Sequence, residues 1–141
     1  MTTPTHPFDI DAFLARPLVA RVATGGPAVR PVWYLWEEGA FWWITGSYAR
    51  LPELLAGDPR VALVVDTCDL VTLEVLQVTA RGDAEVVPFD ASRARRKLVR
   101  YLGEDEQRWP SDFRDFPPDT RFVRFAPDHL SARDLSKTRT A

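Results

Sequence analysis

The side chains able to do chemistry on their own are few and poorly placed for it. A serine or cysteine relay needs a histidine held between two partners, yet the chain has only His6, in its leader, and His129, beyond its last apolar run. Cys68 stands between Thr67 and Asp69 with no cation close in sequence to lower its pKa, and reads as a small buried or half-buried thiol. As the single cysteine it can form no internal disulfide, and with two histidines it makes no Cys/His zinc set, so no metal is expected. Glu104, Asp105 and Glu106 form a surface run, and Asp112 and Asp115 flank aromatics in a loop. No general acid stands paired with a base. What the chain does concentrate is flat apolar surface and arginine. Val32-Trp33-Tyr34-Leu35-Trp36 and Phe41-Trp42-Trp43-Ile44 follow one another, with Arg50 at the head of a short helix just beyond. If such a chain is an enzyme, an organic cofactor must carry the hard step while the protein orients it.

The elements that would position these residues are mostly strands. Asp9 or Asp11 can cap a short helix through Phe13 and Leu14 that stops before Pro17. Leu18 to Thr24, Ala28 to Trp36 and Ala40 to Thr45 read as a meander, with turns at Thr24-Gly25-Gly26-Pro27 and Glu37-Glu38-Gly39. Leu51 to Ala56 reads as a helix with Pro52 in its first turn and Gly57 as its stop. Val61 to Asp66 is a strand, and Val71 to Val87 a longer one bulged or bent at Arg81-Gly82-Asp83. Asp90 caps a helix whose Ala94, Leu98, Tyr101 and Leu102 share one face, leaving Arg93, Arg96, Lys97 and Arg100 mostly outward. A loop rich in proline and aromatics runs from Gly103 to Asp119, where Trp109 and Phe113 fold over a ligand, lie across a dimer seam or anchor the loop. Thr120 to Ala126 is the last strand, before a tail that ends in polar residues. The pattern predicts a mainly β fold, an antiparallel barrel with a few helices, as one domain over residues 1–141 with loose ends at 1–8 and 137–141.

Composition narrows the function classes. The 141 residues are 45% hydrophobic and 27% charged, values of a folded globular domain rather than a disordered chain. A formal net charge of −2 offers no global field to a polyanion, and the arginines of the helix from Ser92 to Gly103 read as a solvated face, so nucleic acid is not an expected partner. The start, MTTPTHPFDID, is polar and broken by proline, and no apolar run is long enough to span a bilayer. No membrane partner is expected, and the protein reads as cytoplasmic.

The two aromatic strands carry an anomaly. A barrel wall with one wet face should alternate apolar and polar residues, and here it does not. Both faces must therefore be covered. One can point inward; the other calls for the chain's own helices, a partner subunit or a flat apolar ligand.

The order Gly26-Pro27, Pro31-Val32-Trp33, Thr45-Gly46, Arg50 and Asp58-Pro59-Arg60-Val61-Ala62-Leu63 resembles the pyridoxamine 5′-phosphate oxidase-like flavin-binding split barrels. Val78 to Val87, Tyr101-Leu102-Gly103, Trp109-Pro110 and Asp134-Leu135-Ser136 are similar to one actinobacterial branch, so the resemblance runs from about Arg16 to Ser136. It implies a six-stranded Greek-key barrel, a homodimer, and two FMN sites in grooves between the subunits. It also implies roles for single residues. Arg30 would meet the flavin phosphate and ribityl region, the backbone at Val32 and Trp33 would run along the isoalloxazine edge, and Thr45 and Gly46 would lie beside the ring. Arg50 and Leu51 occupy the pair of positions that clamp the phosphate, and Gln77 matches a glutamine that reaches the flavin. The pattern is thinned, because Ala49 replaces a phosphate-binding serine, Leu51 replaces the second clamping cation, a lysine, and Leu35 replaces a substrate-side lysine.

Three functional readings follow. The first is an FMN-dependent oxidoreductase passing hydride or electrons to a small molecule. The second uses a deazaflavin coenzyme in place of FMN. The third is a barrel with no catalysis, which holds a cofactor or has lost it and serves as an interaction module, as Ala49 and Leu51 favour. Pyridoxamine-phosphate oxidation itself is not expected, because the family's C-terminal arginine and histidine signature is missing from Ser131-Ala132-Arg133-Asp134-Leu135-Ser136. No catalytic residue is assigned.

Overall fold

In the computed structural model, which describes residues 6–140, the Asp9 carboxylate accepts the Ala12 N–H at 3.1 Å and starts helix α1 (Ile10–Leu14). Its Ile10, Phe13 and Leu14 are buried. Strand β1 (Val19–Thr24) lies between β2 (Ala28–Trp33) and β5 (Arg60–Asp66), antiparallel to both. Strands β3 (Leu35–Glu37) and β4 (Ala40–Thr45) form a hairpin closed by Glu38 and Gly39, both left-handed at φ 57° and 69°. Two successive positive φ angles give the turn type whose twist suits paired strands, and Gly39 meets that requirement without strain. Helix α2 (Leu51–Gly57) leads into β5, and the long β6 (Leu76–Pro88) follows. Helix α3 (Ala91–Leu102), started by Asp90 accepting the Arg93 N–H at 3.1 Å, precedes β7 (Arg121–Phe125) and β8 (His129–Asp134).

The stretch expected as one strand from Ala28 to Trp36 is two, and the break closes the barrel. β2 pairs with β1, β3 pairs with β4, and the ladder β2-β1-β5-β6-β7-β4-β3 returns to the same bent segment. Counting β2 and β3 as one bent strand gives the six expected around the barrel, with β8 laid on β6 as an addition. At the bend, Tyr34 belongs to neither ladder, so its buried backbone groups need other partners. Helix α3 supplies them. Tyr34 N–H donates to Tyr101 Oη at 3.1 Å, Tyr101 Oη donates to Leu18 O at 2.7 Å, and Arg100 donates to Tyr34 O. Arg100 also donates to Leu14 O and Ala15 O at 3.0 Å and Arg16 O at 2.7 Å.

This corrects the expectation that the basic residues of α3 point mostly outward. Lys97 is 4% exposed, Arg93 keeps 15% of its side chain in solvent, and Arg100 caps carbonyls inside the seam; Arg96, like its neighbour Arg95, remains about half exposed. A guanidinium can satisfy several buried carbonyls at once, which an apolar residue cannot.

Both faces of β4 are covered by the chain itself. Phe41 and Trp43 point into the barrel with Val22, Val65, Val78 and Phe125, while Ala40 and Trp42 form a second cluster with Ala94 and Phe122. The Arg93 guanidinium lies 3.5 Å from the Trp42 ring centre, and Trp36 Nε1 donates to Asp11 at 2.8 Å. No subunit or ligand is needed over Trp36, Trp42 or Trp43.

The expected long strand starts later than Val71. Asp69 accepts the N–H groups of Val71 and Thr72 at 2.8 and 3.1 Å, a side-chain turn that competes with strand pairing, and Leu73 is left-handed at φ 62°. Cys68, expected to be buried or half-buried, is exposed at the mouth of this turn. The bend of β6 falls where expected, but the extra residue sits opposite. Arg81 pairs with His129 and Ala84 with Phe125, so two residues face three across the corner from Ala126 to Asp128. Gly82 passes beneath that corner, where a Cβ would stand 3.0 Å from Asp128 N and Phe125 Cε1. The strand β8 went unforeseen because His129–Asp134 is polar, as suits an edge.

Candidate functional site

Between β2, the segment after β4, α3 and the 103–119 loop lies a cavity of about 600 Å³. Its walls include Val32 and Trp33 from β2, Tyr48, Lys97 from α3, Phe113 and Phe116 from the loop, and Thr120 immediately before β7. Trp33 is placed by stacking. Its ring lies parallel to Tyr101 at 4.5 Å between centres, and Phe113 stacks at 5.5 Å. The two loop aromatics have separate roles. Trp109 is buried and its indole donates to Gly103 O at 2.9 Å, which anchors the loop to the end of α3, whereas Phe113 reaches the cavity.

The end of β4 lies beside this cavity. Thr45 is buried with no partner for its hydroxyl, and a Cβ on Gly46 would stand 2.8 Å from the Tyr48 ring, so the glycine lets that ring lie close over the backbone. Asp119 accepts the Ser47 N–H at 3.0 Å and the Ser47 hydroxyl, and these bonds hold its carboxyl below the usual range. Arg50, exposed at the first boundary of α2, accepts the Leu54 N–H with its carbonyl, while its side chain makes no hydrogen bond or ion pair among the described residues. Leu51 is 2% exposed and packs into the barrel core, so its side chain is turned away from any ligand.

The remaining candidates fall elsewhere. Arg30 is half-buried on β2, paired with Val22. Gln77 lines a different concavity of about 690 Å³ on the outer sheet face, with Val29, Val64 and the basic Arg21, Arg81 and Arg133. Within one chain, then, Val32 and Trp33 line one cavity, Thr45 and Gly46 do not line it although Ile44 and Tyr48 on either side of them do, and Gln77 lies elsewhere.

Sequence reading missed Lys97. Burial and the neighbouring Arg100 push its amine down to about 8. The signal was present, because Lys97 stands three residues after Ala94 and four before Tyr101, on the buried stripe of the helix. It also missed Tyr48, 68% exposed at the rim of the cavity, whose phenol is pushed up by partial desolvation and by Asp119, and Asp119 itself.

The ring end of a flavin fits this geometry, since the cavity is of ligand size, walled by aromatics, and bordered by Thr120, whose buried hydroxyl has no partner. The phosphate end is sparser. It offers Arg50 but sets Ala49 and the core-facing Leu51 where further partners would stand, and the Asp119 carboxylate holds the turn next to them.

No curated protein matches the chain. Among solved structures, the conserved hypothetical protein Rv2991 from Mycobacterium tuberculosis is 20% identical, covers 98% of this chain and 93% of its own, and has a TM-score of 0.75. An FAD-binding protein from Mesorhizobium loti is 21% identical over 90% of each chain, with a TM-score of 0.63. A protein named F420 reductase is 23% identical, over 89% of this chain and 98% of its own, with a TM-score of 0.61. Likenesses at these identities establish the shared barrel. The profile of pyridoxamine 5′-phosphate oxidase matches residues 9–134, which takes in β1 through β8 and the whole cavity wall, and on that match the chain belongs to the pyridoxamine 5′-phosphate oxidase family of split barrels.

Proposed function

We propose that this protein is a flavin-dependent oxidoreductase of the split-barrel type, which holds FMN against Val32 and Trp33 and serves hydride or electron transfer with a small molecule. The observation that supports the reading is the aromatic cavity of about 600 Å³, whose lining includes Val32 and Trp33, two of the residues that the resemblance sets along the flavin ring. When bound, the isoalloxazine supplies the redox chemistry that no side chain here can. The chain's own residues bind and orient. Trp33, stacked on Tyr101 and on Phe113, offers a flat apolar edge; Arg50 is the cation whose side chain, unpaired among the described residues, serves the phosphate end, and Arg30 is assigned there by the family pattern alone; Phe113 and Phe116 keep water from the apolar wall.

A homodimer belongs to this proposal. The position of Gln77 on a face away from Trp33 is what a site shared between two subunits requires. A deazaflavin in place of FMN is the alternative cofactor, and the resemblance to a structure named F420 reductase supports it. One observation favours a barrel without catalysis, namely the thinned phosphate end at Ala49, Leu51 and Asp119.

The test is to unfold the purified protein, identify any released small molecule by mass, and titrate the apoprotein with FMN and with the deazaflavin. Binding of either at micromolar or better affinity supports the reading. Arg50→Ala should then weaken binding at least tenfold, since a charge-assisted bond to phosphate is worth about 1.5 to 3 kcal/mol. If neither cofactor binds the parent protein, the oxidoreductase reading fails and the non-catalytic one stands.

A further inference from the structure

The chain contains 18 arginines and lysines, of which only Lys97 and Lys137 are lysines. Lys137 is exposed near the C-terminus; Lys97 is 4% exposed. One of only two lysines in an arginine-using sequence is therefore buried in the middle of a helix, where its amine meets no carboxylate and makes no hydrogen bond among the described residues, although a buried cation ordinarily has a partner. It nevertheless borders open space, the cavity of about 600 Å³. The surrounding walls are flat and apolar, from Trp33, Phe113 and Phe116, and the same cavity is bordered by Thr120, a second buried polar group without a partner.

We propose that Lys97 is a nucleophilic amine, and that the cavity takes small aromatic aldehydes and joins them to Lys97 as a reversible imine. The aromatic walls would hold the ring of such a compound and present its carbonyl carbon to the amine. The nitrogen lone pair adds to that carbon, a proton moves from nitrogen to oxygen to give the carbinolamine, and water leaves as the C=N bond forms. No oxidant or reductant is consumed. Arginine could not do this, because its guanidinium does not give up its proton. The lowered amine favours it: a value of about 8 against 10.5 for an ordinary lysine leaves roughly 300-fold more free base at neutral pH. The charged or titratable groups around it are Arg100 and Tyr101 on its own helix and Tyr48, Asp112 and Asp115 on the facing segments. The proposal does not rest on the flavin reading, and its test omits flavin so that either can fail alone.

The test is to incubate the full chain with benzaldehyde and cyanoborohydride, which traps the imine as a stable amine, and to locate the label by peptide mapping. That mapping separates Lys97 from Lys137 and from the α-amino group. At pH 7, Lys97 should be labelled at least tenfold faster than Lys137, with a rate that rises with pH and levels off near 8. Lys97→Arg, which keeps charge and length, should abolish that label while near-ultraviolet circular dichroism stays unchanged. Equal labelling of the two lysines, or a folded protein in which Lys97 remains unlabelled, overturns the proposal. Because Lys137 is an internal reference in the same molecule, the comparison in the parent protein decides the matter even if the variant does not fold.

Discussion

Glu37 stands at the last position of β3 and receives Arg93 at 2.9 Å and Arg96 at 2.8 Å. The bond from Arg96 is the largest influence that holds its carboxyl below the ordinary value of 4.5, against the opposing effect of burial. Its folded-state value is thus lowered, so the ion pairs stabilise the fold above the ordinary carboxylate range, and that contribution is lost as pH falls through the lowered value. Glu37→Gln should cost about 1 to 2 kcal/mol near neutrality, the margin of a charge-assisted bond over a neutral one, reduced because Arg96 is half exposed. Urea unfolding at pH 7 and at pH 3 checks this; the difference between parent and variant should shrink in acid. At this scale the sequence was partly legible. Trp33 and Val32 could be picked out, whereas the inward basic face of α3 could not, because a helical stripe of Ala94, Lys97, Leu98 and Tyr101 reads as apolar with one exception until the carbonyls it must satisfy are known.

Among the elements, the strands with strong apolar character were readable to within a residue or two, β4 and β5 best of all. β8 was not, since edge strands need polar outer residues, nor was the turn at Asp69, where one carboxylate outbids a β-branched run for the backbone. The bend at Gly82 was readable as a feature but not as a mechanism. The corner from Ala126 to Asp128 leaves no room above it, so Gly82→Ala must push backbone rather than a flexible side chain. Overpacking of this kind costs about 1 to 3 kcal/mol. A thermal melt should show Gly82→Ala several degrees below the parent.

For the molecule as a whole, the family and the barrel were legible from the order of short motifs, none specific alone. The covering of the aromatic strands was not, because the chain's own α3 does most of what a second subunit was expected to do. What is left for a second copy is the outer face of β1, β2, β5 and β6, where Val29 is 70% exposed beside Val64 and Gln77. If that face joins two chains around shared sites, Val29→Glu should yield a monomer by light scattering and lose cofactor binding together with the dimer. A monomeric parent would remove the shared site.

The fastening at Tyr34 bears on how the chain comes off the ribosome. The hydroxyl that holds it lies 67 residues later, and the guanidinium beside it 66. Until α3 and then β7, the ladder partner of β4, have been synthesised, the nascent chain carries its most aromatic stretch unclosed, exposed to other chains and to chaperones. Closure across so long a separation belongs to the slow end of single-domain folding, so the N-terminal third of this protein waits, sticky and open, for its helix.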